Sequence, residues 1–78
     1  MPQIKGWKKK NRYLWIHYEK GLAGKIKKRG YKDWVVAIVN LRTRSVVWHD
    51  TAEKYTEAEN MLIRKMKQIS ARLYRRRR

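Results

Sequence analysis

The sequence predicts an α+β fold: a three-stranded antiparallel sheet, one carboxy-terminal amphipathic helix packed on one of its faces, and basic flexible ends. Three observations predict it. Residues 34–41 (Trp-Val-Val-Ala-Ile-Val-Asn-Leu) are nearly continuously apolar, as a central strand is. Ser-Val-Val-Trp-His at 45–49 returns after a short turn, so the two runs pair antiparallel. Farther on, Ala58, Leu62, Met66, Ile69 and Leu73 recur at three- and four-residue spacing, which is one face of a helix.

The remaining elements follow in chain order. Residues 1–11 read as a basic arm, with Lys5, Lys8, Lys9 and Lys10 around Gly6 and Trp7; Pro2 and Gly6 oppose regular structure there. Residues 12–19 alternate. Tyr13, Trp15 and His17 point one way, and Arg12, Leu14, Ile16 and Tyr18 the other, a period of two that predicts a strand. Residues 20–33 hold Gly21, Gly24 and Gly30 among Lys20, Lys25, Lys27, Lys28, Arg29 and Lys32. Such a stretch predicts a long basic loop, and hairpin connections of that length tend to carry function. Residues 40–45 form a turn with Arg42 and Arg44, and residues 50–55 connect to the helix.

Thr56-Glu-Ala-Glu at 56–59 matches a capping box, in which the hydroxyl caps the Glu59 amide and the carboxylate reaches back. Met61 lies beside the apolar stripe, while Asn60, Arg64, Lys67, Ala71 and Arg75 run down the opposite face. Acids at the helix start and bases at its end agree with the macrodipole. Arg75, Arg76, Arg77 and Arg78 form a charge run expected to order only on binding. The expected organisation is therefore an arm at 1–11, a β-β-β-α domain at 12–74 and an arginine tail at 75–78.

Composition narrows the function. Lys and Arg number 22 against 6 Asp and Glu, a net charge of +16 on 78 residues. Self-repulsion on that scale is relieved by an anionic partner, and a basic footprint of this kind points to nucleic acid. A disordered basic tail has few apolar residues; here 42% are hydrophobic and 12% aromatic, so the chain folds. With no cysteine there is no disulfide, thiolate catalysis or cysteine-bound zinc. No apolar run nears the ~20 residues of a membrane helix, and residues 1–20 lack the apolar core of a secretion signal. A cytoplasmic setting, on the nucleoid or the ribosome, is expected.

The chemistry-bearing residues point away from catalysis. His17 and His49 alone make a poor zinc site, since structural zinc takes four ligands. Among six acids only Asp50, next to His49, is suggestive, and two-metal phosphodiester chemistry needs several converging carboxylates. Gly-Leu-Ala-Gly-Lys at 21–25 is two residues short of a phosphate loop, with no Ser or Thr after the lysine. No enzyme activity, metal, cofactor or small-molecule substrate is expected. The expected contact residues are Lys5, Trp7, Lys8, Lys9, Lys10, Arg12, Trp15, Lys25, Lys27, Lys28, Arg29, Lys32, Arg42, Arg44 and the four terminal arginines. Cations on flexible ends and connections reach separate phosphates and release counterions. Exposed aromatics among them stack on bases. One helix covers only one face of a sheet, so the other face exposes either Tyr13, Trp15 and His17 or Leu14, Ile16 and Tyr18.

The order strand, strand, strand, helix resembles the three-stranded-sheet DNA-binding domains of the plant ethylene-response-factor and tyrosine-recombinase arm-binding type. The resemblance covers about residues 12–73. It rests on Trp34-Val-Val-Ala-Ile, on the basic turn before Val46-Val-Trp48, and on Thr56-Glu-Ala-Glu. It implies a sheet laid in the major groove with the helix behind. At the positions where that family reads bases this chain has Val35, Ala37 and Val39. The resemblance therefore leaves Trp15, Trp48, Arg12, Arg42 and Arg44 as contacts, with little base reading. Two partners are expected: double-stranded DNA bound with low sequence specificity, or ribosomal RNA bound through basic loops and tails, as in a small ribosomal protein. A basic module docking on an acidic protein or an anionic membrane is a third reading. It is disfavoured because the helix's apolar stripe is needed for the core.

Overall fold

In the computed structural model, which describes residues 4–73, the architecture is α+β with an antiparallel sheet and a carboxy-terminal helix, but the sheet has five strands. They are β1 (Lys8–Asn11), β2 (Leu14–His17), β3 (Leu22–Gly30), β4 (Asp33–Asn40) and β5 (Ser45–Ala52), followed by α1 (Tyr55–Leu73). Each strand pairs with the next in sequence, a simple meander.

Two expectations are corrected. The expected long loop at 20–33 is mostly β3. Its side chains alternate: Leu22, Gly24 and Ile26 turn toward the helix, and Ala23, Lys25 and Lys27 turn away. Glycine at 24 masks that alternation in the sequence. It stands there because α1 passes directly over it: a Cβ on Gly24 would lie 3.1 Å from Leu62 Cδ1 and 3.3 Å from Met66 Sδ. Residues 8–11, expected as an irregular arm, form edge strand β1, with Lys8 opposite Ile16 and Lys9 opposite Trp15. The residues before it are also built in. The Trp7 amide donates to the Ile4 carbonyl (2.9 Å) across a tight turn, with Gly6 at φ +87°, and Ile4 and Trp7 are buried.

Short connections explain the meander. Asn11 Oδ1 caps the β1–β2 turn by accepting from the Tyr13 amide (2.8 Å). Tyr31 and Lys32 alone join β3 to β4, with Lys32 at φ +51°. In the β4–β5 turn Asn40 Oδ1 accepts from the amides of Arg42 (2.9 Å) and Thr43 (3.1 Å), and Arg44 sits at φ +60°. Left-handed backbone at a lysine and an arginine is uncommon for residues with a Cβ.

The core lies between the sheet and α1, which packs on β3, β4 and β5. It consists of Trp15, Ile26, Val36, Ile38, Ala58, Leu62 and Met66, together with Ile4 and Trp7. The helix stripe is realised as Ala58, Leu62, Met66 and Ser70. Ile69 is only partly buried and Leu73 is exposed, because the stripe follows strict four-residue spacing and leaves them to one side. The buried Ser70 hydroxyl donates to the Lys5 carbonyl (2.7 Å), tying the first turn to the last turns of the helix.

The capping box does not form. The helix starts at Tyr55, and its first bond runs from the Ala58 amide to the Lys54 carbonyl (3.0 Å), so Thr56 already lies inside the first turn. Glu59 instead accepts from Lys9 Nζ (3.5 Å) and lies 3.1 Å from the Tyr55 hydroxyl.

Leu62→Ala is expected to cost about 2–5 kcal/mol in denaturant unfolding. Ile69→Ala, at a half-buried position, should cost clearly less. Gly24→Val should lower the melting temperature by pushing α1 off the sheet, and an unchanged melting temperature would contradict the close approach.

Candidate nucleic-acid interface

The sheet has one face that α1 does not cover. Register fixes its membership. Lys8, Ile16, Ala23, Val39 and Val46 lie in one row across the strands; Leu14, Lys25, Ala37 and His49 lie in a second; Lys27, Val35 and Thr51 lie in a third. Of the two faces that sequence offered for β2, the open one is that of Leu14, Ile16 and Tyr18. Trp15 and His17 face the core.

On this face lysines on the edge strand β1 and the central strand β3 stand among apolar residues. Lys8 and Lys10 come from β1, Lys25 and Lys27 from β3, and all four are exposed. Residues two apart on a strand are about 6.6 Å apart, and β1 and β3 are two strand spacings apart, about 9.6 Å. Lys10, at the register shift between Lys9 and Asn11, has its Nζ 5.7 Å from the Tyr18 ring centroid. Leu14 and Ile16 of β2 lie between the lysine-bearing strands and Ala37 and Val39 of β4 lie beyond β3, each half-buried, with Val46 of β5 at 57% exposure at the margin. The alternation puts one acid on this face, Asp33, and Arg29 holds it: Nε to Oδ2 at 2.8 Å and Nη2 to Oδ1 at 3.1 Å.

The other expected contact residues lie elsewhere. Lys9 and Lys28 are on the helix side. Lys9 pairs with Glu59 and lies 5.6 Å from the Trp15 ring; Lys28 lies 5.9 Å from the Trp34 ring. Arg12 covers the Tyr55 ring at 4.7 Å, where Tyr55 also meets Tyr13 and Trp34 edge-on, so its guanidinium closes one end of the aromatic core. The Tyr55 hydroxyl lies 2.5 Å from the Arg12 carbonyl oxygen, and burial above all pushes its pKa up. Lys32, at the β3–β4 tip, stands by the exposed ring of Tyr31.

At the opposite end Arg42 lies against Gly21 and donates to the Glu19 carbonyl (3.1 Å), while the Leu41 amide donates to the Gly21 carbonyl (2.7 Å). Arg42 therefore staples the β2–β3 and β4–β5 turns together, with Arg44 exposed beside it. Lys5 is exposed at the amino-terminal turn. Arg75 to Arg78 lie outside the described residues.

Trp7 and Trp15, expected to stack on bases, are 6% and 3% exposed. Their indoles are core, and no base reaches those faces while the fold is closed. Trp7 meets the buried His17 edge-on at 5.3 Å, and His17 Nδ1 accepts from the Lys20 amide (3.2 Å), which caps the β2–β3 turn. His49 is exposed on the open face. Among the described residues no group of three or more His, Asp or Glu is arranged to hold a metal ion, and no helix is long and apolar enough to cross a membrane.

Sequence reasoning missed the cations of the helix exterior, Arg64, Lys65, Lys67 and Arg72, as contact candidates. The available signal was their helical spacing, which puts Arg64 and Lys67 opposite the buried stripe and Lys65 and Arg72 along its flank. Comparison of the chain with known families, curated proteins and solved structures finds no match.

The Arg29–Asp33 pair yields a pH prediction. The hydrogen bonds from Arg29, with its charge, hold the Asp33 carboxyl below the usual carboxylate range. The pair's contribution is therefore complete above the ordinary carboxylate pKa of about 3.9 and is lost as pH falls through the depressed value. Both side chains are exposed, so the effect on global stability is small. A carbon-detected NMR titration should place the Asp33 midpoint below the ordinary range, and Arg29→Gln should return it there.

Proposed function

We propose that the protein is a non-catalytic nucleic-acid-binding module that grips the phosphate backbone with the open face of its sheet, favouring double-stranded DNA with little sequence specificity. The observation that carries this reading is the segregation of charge. Four exposed lysines stand on the face, two on edge strand β1 and two on central strand β3, and its single acid is already neutralised by Arg29. Each lysine that meets a phosphate releases condensed counterion, so affinity depends steeply on salt.

The floor of the face supports low specificity. Its central positions, Val35, Ala37 and Val39, offer no hydrogen bond to a base edge and at most a methyl contact with thymine. A sheet applied to the groove side of a duplex, with the helix behind, is also what the resemblance to three-stranded DNA-binding sheets implies. Here it would be widened by two strands.

A second reading, structured RNA as in a ribosomal protein, is favoured by one further observation. Exposed cations also stand at the Arg42–Arg44 turn and on the outer face of α1, at Arg64 and Lys67. A partner that surrounds the protein would meet them all, whereas a duplex on one face would not.

Replacing Lys8, Lys10, Lys25 and Lys27 together by Gln tests the first reading. The slope of log affinity against log salt for duplex DNA should become shallower by about 3 to 4 units, with the melting temperature held or raised as self-repulsion falls. An unchanged slope would overturn the open-face interface. Competition by structured RNA but not by duplex would move the assignment to the second reading.

A further inference from the structure

Along the outer edge of the sheet, α1 and β5 bound a groove separate from the open face. One hollow of about 230 Å³ is lined by Trp48, Asp50, Met61, Arg64, Lys65 and Gln68. A second, of about 240 Å³, is lined by Lys65, Gln68, Ile69 and Arg72. Lys65 and Gln68 line both, so the hollows are neighbours along the helix, the second lined by α1 residues.

Trp48 pairs with Ile38 and therefore turns toward the helix side, at the margin of the core, where it is half-buried. It differs from Trp7 and Trp15 in lining a cleft that opens to solvent. Lys65 Nζ lies 5.9 Å from its ring centroid and donates to Gln68 Oε1 (3.3 Å). Arg64 and Arg72 are exposed and enter no ion pair among the described residues. Asp50 is the one acid of the groove; its Oδ1 accepts from the Thr51 amide (2.8 Å).

We propose that this groove holds a short single-stranded stretch of nucleic acid, with an unpaired base on the Trp48 indole and phosphates against Arg64, Lys65 and Arg72. The proposal rests on the nucleic-acid reading above and adds a second site with a different substrate form. The chemistry is that of a single-strand track: a stacking platform at one end and cations along the wall. From Arg64 to Arg72 the helix advances about 12 Å. That accommodates a few linked nucleotides, and the hollows have the size of a base and not of a duplex. Gln68 and Asp50 supply a donor and acceptors to a base edge without demanding one base.

The test uses the whole chain, a short oligothymidine and a duplex of mixed sequence, read by tryptophan emission and by affinity. Oligothymidine should quench part of the emission. Trp48→Leu should abolish that quench and weaken oligothymidine binding roughly 5- to 150-fold, leaving duplex affinity unchanged. Because a core-margin tryptophan also supports the fold, the second variant is on the surface. Arg64→Gln with Arg72→Gln should make the oligothymidine salt slope shallower by about 1.4 units while the melting temperature holds. An emission unmoved by oligothymidine overturns the proposal, as does an equal loss of duplex and single-strand affinity in Trp48→Leu, or a full slope in the arginine variant. Duplex binding with no oligothymidine response removes the groove and leaves the open-face reading intact. Oligothymidine binding that is lost in Trp48→Leu, without any duplex binding, upholds the groove and removes the duplex reading.

Discussion

The close approach of α1 to the middle of the sheet at Gly24 is the contact on which the rest of the structure depends. Leu62 and Met66 come down onto a position with no side chain, and Val36 and Ile38 of the adjacent strand complete the seal. A helix of 19 residues is about 28 Å long, close to the length of the eight- and nine-residue strands beneath it. One helix so placed spans β3, β4 and β5. The β2 side of the same face is closed differently, by Ile4 and Trp7 folded in ahead of β1 and fastened to α1 through Ser70. With no second helix among the described residues to cover the other face, that face stays open, and the lysines of β1 and β3 stand on it.

The parts of the fold legible in the sequence were those in which one pattern acted alone. The apolar run of β4, its short turn to β5 and the helix stripe through Ala58, Leu62 and Met66 are single-period signals, and the structure has them at nearly the same bounds. β3 was not legible, because its glycines carry two meanings. Gly21, at φ +65°, does turn the chain, whereas Gly24 is a strand residue left small to admit the helix. Local composition cannot separate those cases; only the position of α1 does. β1 was hidden for a related reason: three consecutive lysines read as a solvated arm, yet on an edge strand one side and one face are already solvated.

Burial, not charge, decided which expected contact residues reach the surface. The lysines of β1 and β3 that face away from α1 are exposed, and their neighbours one position along are drawn to the helix side, where Lys9 meets Glu59 and Lys28 meets Trp34. A one-residue alternation thus sends a continuous basic stretch to the two faces of the sheet, with Lys9 half-buried and Lys28 exposed on the helix side. The tryptophans divide on the same principle: Trp7 and Trp15 fill the core, while Trp48, on the last strand, is half-buried at the core margin beside β4 and α1. Sequence gives the number of indoles but not how many layers lie over each.

Lys32 and Arg44 occupy left-handed backbone at the two tight turns that flank β4. An L residue there gives up on the order of 1 kcal/mol that a glycine would keep. The molecule therefore holds less stability than its own backbone permits, and at both tips the residue that stands in glycine's place is a cation. Selection for heat resistance alone would run toward glycine at 32 and 44 and would strip charge from the hairpin ends first. Durability and basicity are set against each other at these two positions.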